Sequence, residues 1–418
     1  MTDSKKHLAE NPKLRWPLDV QRHQHQGEEF VVLSCPLGLS AEPAIFSAQL
    51  LPVIFSLDGS DTNSIVDQFQ SAGLTLAMLE KLIFRLDEFN LLDTARTNCL
   101  VQDALDDYRK TKVREPAHAG LAYPEDPAAL SAQILEWLTQ VESKPNTKEN
   151  TALVSVVPHI DYGRGWSCYA DLFKNFSVKE NTTILLFGTS HQPGSSLFRL
   201  TSKNFRVPGY EFETCSESVE HLASKYGETR SFADELVHRK EHSIELVLPF
   251  LAQRVLDSSG LRVVPILVGG FQSFLGEERD AESDEEFCSF VEGLKSLILD
   301  LEEKGRNWQI LAGLDMAHVG LAFGDSQRVA PTGLETLESR DREYLALASA
   351  SDSKRFLAHL SEDLDARRIC GYPSLFTIFS LFETLGRKIK GELVSYNQAV
   401  EENSDTIVTF SSMNWYQT

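Results

Sequence analysis

Apolar residues follow two different periods along this chain, and the change of period divides it near residue 112. In LTLAMLEKLIFRLDEFNLLD (74–93) they fall at 76, 79, 82, 83 and 86, which is the spacing of one helix face. From residue 151 onward, short runs that are apolar on both faces alternate with helical segments of about 10 to 20 residues. This alternation predicts an α/β fold whose mostly parallel sheet is covered by helices on both faces.

The strands of that sheet are predicted from six apolar runs. In chain order they are ALVSVVP (152–158), TTILLFG (182–188), RVVPILVGG (262–270), WQILAGL (308–314), LVSYNQ (393–398) and TIVTFSS (406–412), with SLFRLTS (196–202) as a further hairpin strand. The predicted helices between them cover 165–175, 243–256 and 284–304. Because open α/β sheets bind ligands at the carboxyl ends of their parallel strands, the residues just after these runs are the candidates for function.

The first 112 residues are predicted to form a small module separate from the main domain, which covers 113–418. Its predicted elements are a strand at 29–34, a helix over 43–59 that is interrupted at Pro52, a short helix beginning at Asp61-Thr62 and a longer helix over 74–93. The predicted linker is the polar segment DDYRKTKVREP (106–116). This order of elements resembles PqqD-like winged-helix modules, which implies a small winged-helix-like α+β fold and leader-peptide binding. A module that only packs against its neighbour is the alternative.

The charge balance limits the possible partners. The chain has 61 acidic and 40 basic residues and a net charge of −21, which disfavours binding to nucleic acid or to an anionic membrane. The polar N-terminal stretch does not resemble a signal peptide and no run of about 18 apolar residues occurs, so we expect a cytoplasmic protein. The six cysteines include no CxxC pair, so we expect reduced thiols rather than a zinc ribbon, an iron–sulfur cluster or a disulfide framework.

Histidines and carboxylates follow three of the predicted strands. His159 comes directly after ALVSVVP, and His191 comes shortly after TTILLFG. Asp315 and His318 follow WQILAGL, and they would share one face if the chain enters a helical turn there. The ends of three strands therefore offer imidazoles and a carboxylate at what we expect to be the same edge of the sheet.

A fourth segment, KEHSIELVLPF (240–250), offers His242 and Glu245 with the same three-residue spacing at a predicted helix start. A single histidine of this kind is more often a hydrogen-bonded structural residue, but four such segments at one edge point to a metal site. Imidazoles with one carboxylate suit divalent first-row ions, and the set of two histidines and one carboxylate suits Fe(II), with Zn(II) and copper as the other candidates. The remaining carboxylates would orient the imidazoles.

Six sequence blocks carry a resemblance to the Memo family. They are VPHIDYG, FGTSHQ, EHSIELVLPF, VPILVGG, GLDMAH and RICGYPSLFTI, and REPAHAGLAYPEDPAAL (114–130) resembles the usual opening of that family. The blocks follow one another in order over about residues 114–412. The family includes protein B of the AmmeMemoRadiSam system, and the resemblance implies a fold similar to LigB-type class III extradiol dioxygenases with a metal-capable pocket. It also implies a small molecule or peptide, and other AmmeMemoRadiSam proteins, as partners.

The resemblance assigns roles by position. His159 and His191 fall on the two histidine ligands of the family, and four further pocket residues are the catalytic candidates: His242, Glu245, Asp315 and His318. Some members have a cysteine after the late strand as third ligand, where this chain has Glu401 and Glu402 instead. Because the related dioxygenases use glutamate in that region, Glu401 is the expected third ligand, and a solvated acidic turn is the alternative.

Three functions fit these residues. The first is a metal-dependent oxidoreductase of the non-haem iron dioxygenase type, in which His242 or His318 acts as the acid or base. The second is a non-catalytic protein whose pocket binds a peptide or a partner. The third, a metal-independent hydrolase that uses Ser190 beside His191, is the weakest, because the chain has no GxSxG elbow.

Overall fold

The computed structural model describes residues 11–16, 18–25, 27–40, 42–142, 151–255, 260–276 and 278–418. The chain divides into two compact units, Met1–Lys110 and Thr111–Thr418. A helix ends at Lys110, so the first part of the predicted linker 106–116 is helical. Within the described ranges, no helix combines the length and the apolar character needed to cross a membrane.

The first unit contains a three-stranded antiparallel sheet followed, in its described residues, by four α-helices. The strands β1 (Asp19–His25), β2 (Glu28–Ser34) and β3 (Ala44–Ser47) lie in that order, and the helices are α1 (Leu51–Phe55), α2 (Thr62–Gln68), α3 (Leu76–Glu88) and α4 (Ala95–Lys110). The predicted inner face of α3 is buried at Leu79, Leu82, Ile83 and Leu86, whereas Leu76, the first position of that face, is exposed. The unit has the α+β content that the sequence indicates, and its similarity to PqqD-like modules stays a prediction.

The helix predicted over 43–59 is wrong in its first part. Ala44–Ser47 is a strand that pairs antiparallel with β2, and only Leu51–Phe55 is α-helical. Buried and exposed residues alternate along the strand, which is a period of two, and Pro52 lies in the first turn of the helix that follows. The short helix α2 begins as predicted, because the Asp61 side chain accepts hydrogen bonds from two backbone N–H groups of its first turn.

A large mixed sheet forms the centre of the second unit. Its strands are β5 (Val154–Val157), β6 (Thr182–Thr189), β7 (Phe198–Leu200), β10 (Arg262–Val268), β11 (Asn307–Gly313), β12 (Asp315–Val319), β13 (Ile389–Glu401) and β14 (Thr406–Gln417). Their order is β12-β14-β5-β11-β6-β10-β7, and β13 pairs with β14 outside that path. A smaller sheet contains β4 (Val113–Arg114), β8 (Asn204–Val207) and β9 (Tyr210–Phe212).

The centre of the large sheet is parallel, but the sheet as a whole is mixed. β5, β11, β6 and β10 are parallel neighbours, as predicted, whereas β7, β12, β13 and β14 pair antiparallel at the two sides. The expectation of a mostly parallel sheet therefore holds for the centre alone. The reason is that LVSYNQ and TIVTFSS belong to one hairpin, β13–β14, whose second strand returns beside β5 without a crossover helix.

Helices cover both faces of this sheet and build two hydrophobic cores. Neighbouring residues of a central strand belong to opposite cores: in β6, Leu185 and Phe187 pack in one cluster, and Ile184 and Leu186 in the other. The whole of β6 is buried, as expected for a strand covered on both faces. The predicted α/β class is thereby confirmed.

The second unit contains eleven α-helices in its described residues. They are α5 (Pro127–Gln140), α6 (Tyr162–Phe173), α7 (Ser216–Tyr226), α8 (Glu228–Phe232), α9 (His242–Glu245), α10 (Leu248–Val255), α11 (Gln272–Leu275), α12 (Glu285–Glu303), α13 (Pro331–Ala350), α14 (Ser353–Ser361) and α15 (Tyr372–Thr384). The single helix predicted over 243–256 is thus two helices, α9 and α10. The break separates the short helix that carries His242 from the longer helix that follows it.

A buried ion pair joins part of the predicted linker to the core of the second unit. The side chains of Arg114 and Glu245 are 1% and 0% exposed, and the guanidinium contacts the carboxylate through Nη1. Nε and Nη2 of Arg114 donate to the backbone carbonyls of His238 at 3.0 Å and Glu241 at 2.9 Å.

The Glu245 carboxylate also accepts hydrogen bonds from the segment after Arg114, at the backbone N–H groups of Ala117 and His118 and at the hydroxyl of Tyr123. Residues 114–123 are therefore an integral part of the second unit.

Replacing Arg114 by leucine should destabilise the second unit by about 3–5 kcal/mol, because the Glu245 carboxylate would stay buried without its countercharge. Urea unfolding followed by tryptophan fluorescence measures mainly this unit, which contains Trp137, Trp166, Trp308 and Trp415.

The matched control is Arg206→Leu. Arg206 pairs with Glu115 and Glu211 while its side chain is 44% exposed, and exposed ion pairs contribute about 0–1 kcal/mol. Equal losses of unfolding free energy in the two variants would contradict a structural role for the buried pair.

Candidate metal centre

Strands β5, β11 and β6 are paired in a register that aligns their carboxyl ends across the sheet. Gly313, at the end of β11, pairs with Val157 of β5 on one side and with Gly188 of β6 on the other. The side chains that follow these positions by two or three residues therefore lie at one edge of the sheet, as the sequence predicts: His159, His191 and Asp315.

The short helix α9 (His242–Glu245) lies directly against these strand ends. A β-carbon at Gly188 would stand 2.6 Å from Oγ of Ser243, and a β-carbon at Gly313 would overlap the backbone oxygen of Ser243. Only glycine at both strand positions allows the helix to come this close. The close approach places His242 beside the histidines of the strand ends.

Three imidazoles converge at this edge. His159, His191 and His242 each offer a ring nitrogen, and these atoms lie within 4.8 Å of one another. The ring centroids are 5.0 Å apart for His159 and His191, 5.3 Å for His159 and His242, and 4.6 Å for His191 and His242, whose rings are stacked. His159 is 1% exposed, whereas the side chains of His191 and His242 are 37% and 36% exposed. The group is therefore reached from the side of His191 and His242.

Hydrogen bonds decide which nitrogen of His159 and His191 is available. Nδ1 of His159 donates to the backbone carbonyl of Gly313 at 2.9 Å, and Nδ1 of His191 donates to Oε1 of Glu241 at 3.0 Å. A carbonyl and an ionised carboxylate only accept, so Nδ1 carries the proton in both rings and Nε2 has a lone pair when the ring is neutral. Metal-binding histidines are held in this way, with the second nitrogen bonded to an acceptor.

The carboxylate of Glu241 organises two of the three histidines. Glu241 is 5% exposed, and besides the His191 ring it accepts the backbone N–H groups of His191 at 3.0 Å, His242 at 2.8 Å and Ser243 at 3.0 Å. It therefore caps α9 and ties that helix to the chain that follows β6. Burial raises the pKa of Glu241, but His191 and His242 outweigh burial and hold the pKa well below its ordinary value.

A thiol that the sequence analysis left unassigned lies next to the imidazoles. Sγ of Cys370 is 3.5 Å from Nε2 of His159 and 3.7 Å from the backbone oxygen of Asp315. The next residue is Gly371, where a β-carbon would stand 2.7 Å from that same oxygen, so the glycine allows the start of α15 to pack against β12. Burial raises the pKa of Cys370, but His159 and His318 outweigh burial and lower the pKa to about 5.

The same contacts move the histidine pKa values in opposite directions. Burial lowers the pKa of His159, but the Asp315 carboxylate and the neighbouring thiolate raise it to about 9. Burial also lowers the pKa of His191, and Glu241 raises it well above its ordinary value. The pKa of His242 lies well below its ordinary value, because burial and the charge on His191 both favour a neutral ring. These shifts favour a thiolate at Cys370, protonated rings at His159 and His191, and a neutral ring at His242 near neutral pH.

Asp315 and His318 lie at the same edge, but on a strand rather than on a helical turn. Their pairing with β14 changes register between them, which is a β-bulge. Asp315 is 3% exposed, its Oδ1 accepts the backbone N–H of His159 at 2.8 Å, and its Oδ2 lies 3.6 Å from Nε2 of His159. Nδ1 of His318 lies 3.1 Å from the backbone oxygen of Arg368. Asp315 therefore holds the loop of His159, while His318 stands outside the group of three imidazoles.

Glu245 and Glu401 are not brought to the histidines. Both oxygens of Glu245 accept hydrogen bonds from residues 117–123, so its contacts stabilise the fold. Glu401, the expected third ligand, lies at the end of β13 with its side chain 51% exposed, and it pairs with Arg164 at 3.0 Å. The hairpin β13–β14 carries Glu401 to its exposed turn, and in the described part of the chain His242 and Cys370 take its place as candidate ligands.

The residues needed for the hydrolase alternative are engaged elsewhere. Oγ of Ser190 donates to the backbone carbonyl of Gln192 at 3.1 Å. The ring of the adjacent His191 is bonded to Glu241 through Nδ1. Ser190 and His191 therefore do not form a nucleophile and base pair in this geometry.

Two residues of the site and one of the buried ion pair of the fold were missed by sequence reasoning, and the two in the site have a local signal. Glu241 directly precedes the start of a helix, where the helix dipole stabilises a negative charge. Cys370 lies in the block RICGYPS, directly before Gly371. Arg114 has no local signal, because its partner Glu245 is 131 residues away in the sequence.

Comparison with known proteins places most of the chain in one group. A family profile described as "Memo-like protein" matches residues 114–414. The MEMO1 family protein of Aquifex aeolicus is 28% identical over 409 residues, which cover 97% of this chain and 100% of that protein. Protein MEMO1 of Mus musculus is 27% identical over 310 residues, which cover 72% of this chain and 96% of that protein.

A shorter match links the chain to Protein MEMO1 of Xenopus laevis, with 30% identity over 186 residues that cover 43% of this chain and 57% of that protein. The first unit lies outside the family profile, which begins at residue 114. It is included in the match to the Aquifex relative, since that match covers nearly the whole of both chains.

Replacing Gly313 by alanine should push α9 away from the strand ends, because the new β-carbon would overlap the backbone of Ser243. We expect a loss of about 1–3 kcal/mol in the unfolding free energy and a Zn(II) affinity at least about tenfold weaker, as is typical when the support of a ligand is disturbed. Urea unfolding and calorimetric titration measure the two effects.

The control for this prediction is Gly276→Ala. A β-carbon at Gly276 has no atom within 4 Å, so the change in unfolding free energy should stay within about 0.5 kcal/mol. Zn(II) binding by Gly313→Ala that equals binding by Gly276→Ala would show that the position of α9 does not matter to the site.

Cys370 should react with iodoacetamide at a rate that is nearly constant from pH 6 to pH 8, because its pKa of about 5 keeps it in the thiolate form throughout. A cysteine in a short peptide, whose pKa is about 8.5, should react about tenfold faster for each pH unit over the same range. His159→Ala should raise the pKa of Cys370 and slow its reaction at pH 6. Mass spectrometry of the alkylated peptide gives the rate, and a rate in the parent that rises steeply above pH 7 would contradict the pairing.

Proposed function

The chain belongs to the Memo family, and we propose that its second unit is a metal-dependent oxidoreductase that acts on a small molecule. In this proposal His159, His191 and Cys370 bind one first-row metal ion. The observation that carries the proposal is the convergence of imidazole nitrogens and a thiolate at the carboxyl edge of the sheet. His242 belongs to the same group and stands next to the proposed ion.

The donor set fits a metal ion by its chemistry and spacing. Metal binding needs neutral imidazoles and a deprotonated thiol, and the pKa of Cys370, about 5, meets the second condition at neutral pH. The pKa values of His159 and His191 are raised, so these rings would have to release a proton when the ion binds. With metal–nitrogen distances of about 2.0 Å and a metal–sulfur distance of about 2.3 Å, donors in a tetrahedral site lie roughly 3.3–3.6 Å apart. The 3.5 Å between Sγ of Cys370 and Nε2 of His159 falls in this range.

A thiolate in the donor set changes the metal preference that the sequence indicates. The expected set with Glu401 favours Fe(II), whereas sulfur donors also favour copper and zinc. Because zinc has no redox chemistry of its own, the oxidoreductase proposal requires iron or copper. A bound iron or copper ion would supply electron transfer to dioxygen and a Lewis-acidic position for the substrate.

The residues around the donors would position them and move a proton. Asp315 holds the loop of His159 through its backbone N–H, and Glu241 holds the ring of His191 through Nδ1. Nδ1 of His242 lies 3.3 Å from Oε1 of Glu241, which leaves Nε2 as the nitrogen that can accept a proton. Because the pKa of His242 is low, this ring is neutral near pH 7 and can act as the base for a substrate hydroxyl.

Calorimetric titration with Fe(II) under anaerobic conditions, with Cu(I) and with Zn(II) tests the metal site. We expect His159→Ala, His191→Ala and Cys370→Ser each to weaken binding by more than the 10- to 100-fold loss that is typical of a residue that only orients a ligand. Glu241→Gln should show that smaller loss. Glu401→Gln is the matched control and should bind as the parent does, because Glu401 is exposed and contacts Arg164.

The metal site is disproved if the parent binds none of these ions more tightly than about 1 mM, which is about −4 kcal/mol. It is also disproved if the His159, His191 and Cys370 variants all bind as the parent does. Oxygen uptake by the metal-loaded parent with a panel of catechols then tests the oxidoreductase. Tight metal binding without uptake for any of them would favour the alternative of a non-catalytic binding protein.

Two partner proposals rest on resemblance alone. The similarity of residues 1–112 to PqqD-like modules implies that the first unit recognises a peptide. The similarity of the second unit to AmmeMemoRadiSam system protein B implies action together with other proteins of that system. Affinity capture with the full-length chain and with a chain that begins at Thr111 compares the two units: a peptide ligand that needs the first unit should be lost from the shorter chain.

A further inference from the structure

A cavity of about 750 Å³ adjoins the candidate metal centre. His191 and Cys370 form part of its wall, and the other walls come from residues 189–199, 269–272 and 364–373, together with Arg279 and Glu286. Its volume is typical of small-molecule sites, which span about 300–1,000 Å³. A ligand in this cavity would therefore reach the imidazole and thiolate of the centre.

The cavity wall contains a buried guanidinium with unused hydrogen-bonding capacity. Arg199 is 2% exposed, and neither its Nε nor its Nη1 has a hydrogen-bond partner among the described residues. Two glycines lie against it: a β-carbon at Gly194 would stand 2.8 Å from Nε, and a β-carbon at Gly269 would stand 3.0 Å from Nη1. Any larger residue at these two positions would crowd the guanidinium. Buried charged donors are rarely left without an acceptor, so Arg199 points to an anionic ligand.

The other two arginines of the cavity already have carboxylate partners. Nη2 of Arg279 contacts Oδ2 of Asp284 at 2.5 Å, and the guanidinium of Arg368 contacts Asp325. Their charges are largely compensated within the protein. Arg199 differs from them in having no carboxylate within hydrogen-bond distance, since its ion-pair partner Asp234 lies 3.6 Å from Nε.

The acidic groups in and beside the cavity are also engaged. Oδ2 of Asp234 lies 3.6 Å from Nε of Arg199, outside hydrogen-bond distance, and accepts the N–H and hydroxyl of Ser195 at 2.7 Å and 3.0 Å. Glu286 accepts hydrogen bonds from Leu197 and Tyr226. Asp365 accepts the N–H of Ile369, and burial raises its pKa to about 7. With these carboxyl groups close by, a singly charged ligand is favoured over a doubly charged phosphate.

The rest of the wall contains apolar surface. Leu197, Ile369 and Pro373 line the cavity beside the ring of Tyr372. A ligand that fits these walls has one anionic end and an apolar body.

We infer that this cavity binds a small carboxylic acid with an apolar body, and that Arg199 binds its carboxylate through two parallel hydrogen bonds. The inference rests on the proposed function, because it names the substrate class of the proposed metal centre. The carboxylate lies at Arg199 and the apolar body extends toward His191 and Cys370, which belong to the same wall.

Calorimetric titration of the full-length protein in the presence of EDTA tests the inference without any metal ion. The probes are benzoate, benzamide and phenyl phosphate, which share one ring and differ in the charge of the polar end. Benzoate should bind at least about tenfold more tightly than benzamide, since a hydrogen bond to a charged group is worth more than a neutral one. Phenyl phosphate should bind no more tightly than benzoate.

Two further measurements locate the site. Arg199→Lys keeps the charge but loses the planar fork, so benzoate should bind about tenfold more weakly, whereas Arg206→Lys, outside the cavity, should bind benzoate as the parent does. Photolabelling of the parent with 4-azidobenzoate should mark residues 189–199, 269–272 or 364–373, and benzoate should compete. The labelling decides the location even if Arg199→Lys does not fold.

The inference is overturned if benzoate and benzamide bind equally, if phenyl phosphate binds tenfold more tightly than benzoate, or if the label lies outside these segments. These results are independent of the metal titrations. Selective benzoate binding by a protein that binds no metal would refute the proposed function and keep this inference, and metal binding without benzoate selectivity would do the reverse.

Discussion

The buried carboxylate of Glu241 accepts hydrogen bonds from two segments of the chain that lie 50 residues apart. Through it, the residue that follows strand β6 and the first turn of helix α9 are held in one arrangement. This arrangement is possible only because Gly188 and Gly313 have no β-carbon where the helix meets the sheet. The positions of His191 and His242 therefore depend on two features together: the Glu241 cap of α9 and the glycines Gly188 and Gly313 at the strand ends.

The candidate metal centre is held mainly by backbone groups and buried carboxylates. The carbonyl of Gly313 orients the ring of His159, and Asp315 binds the backbone at His159. Such contacts involve few rotatable bonds, so the imidazole donors are oriented by the fold itself rather than by an incoming ion. Cys370 joins them from a different part of the chain, at the start of α15. The centre is thus assembled from strand ends and two helix starts of the same sheet edge.

In the two proposals, the metal centre carries out the reaction and the adjoining cavity recognises the ligand. His191 and Cys370 belong both to the centre and to the wall of the adjoining cavity, whereas Arg199 belongs to the cavity alone. A ligand held at Arg199 would be oriented by an ionic contact, and its apolar body would be presented to the donors. All of these residues lie in the second unit, which coincides with the region that matches the Memo family. The first unit lies outside the family profile but within the match to the Aquifex relative.

Local pattern was sufficient for much of this molecule. The central strands, the inner face of α3 and the positions of His159 and His191 at strand ends could be read from the sequence, because periodicity and strand termini are properties of neighbouring residues. Spacing alone was a poorer guide to side-chain partners. His242 and Glu245 lie one turn apart on the same helix, yet Glu245 bonds to residues 114–123 while His242 faces the other imidazoles.

The sequence by itself determined the α/β class and the edge of the sheet where chemistry is expected. Tertiary structure alone decided the antiparallel sides of the sheet, the burial of Arg114 and the choice of the remaining donor. Cys370 lies 211 residues from His159, and a glycine beside it allows the approach, whereas Glu401 is carried into solvent by its hairpin. The physical reason is that such contacts depend on the packing of distant segments. The periodicity of neighbouring residues does not indicate which distant segments will pack together.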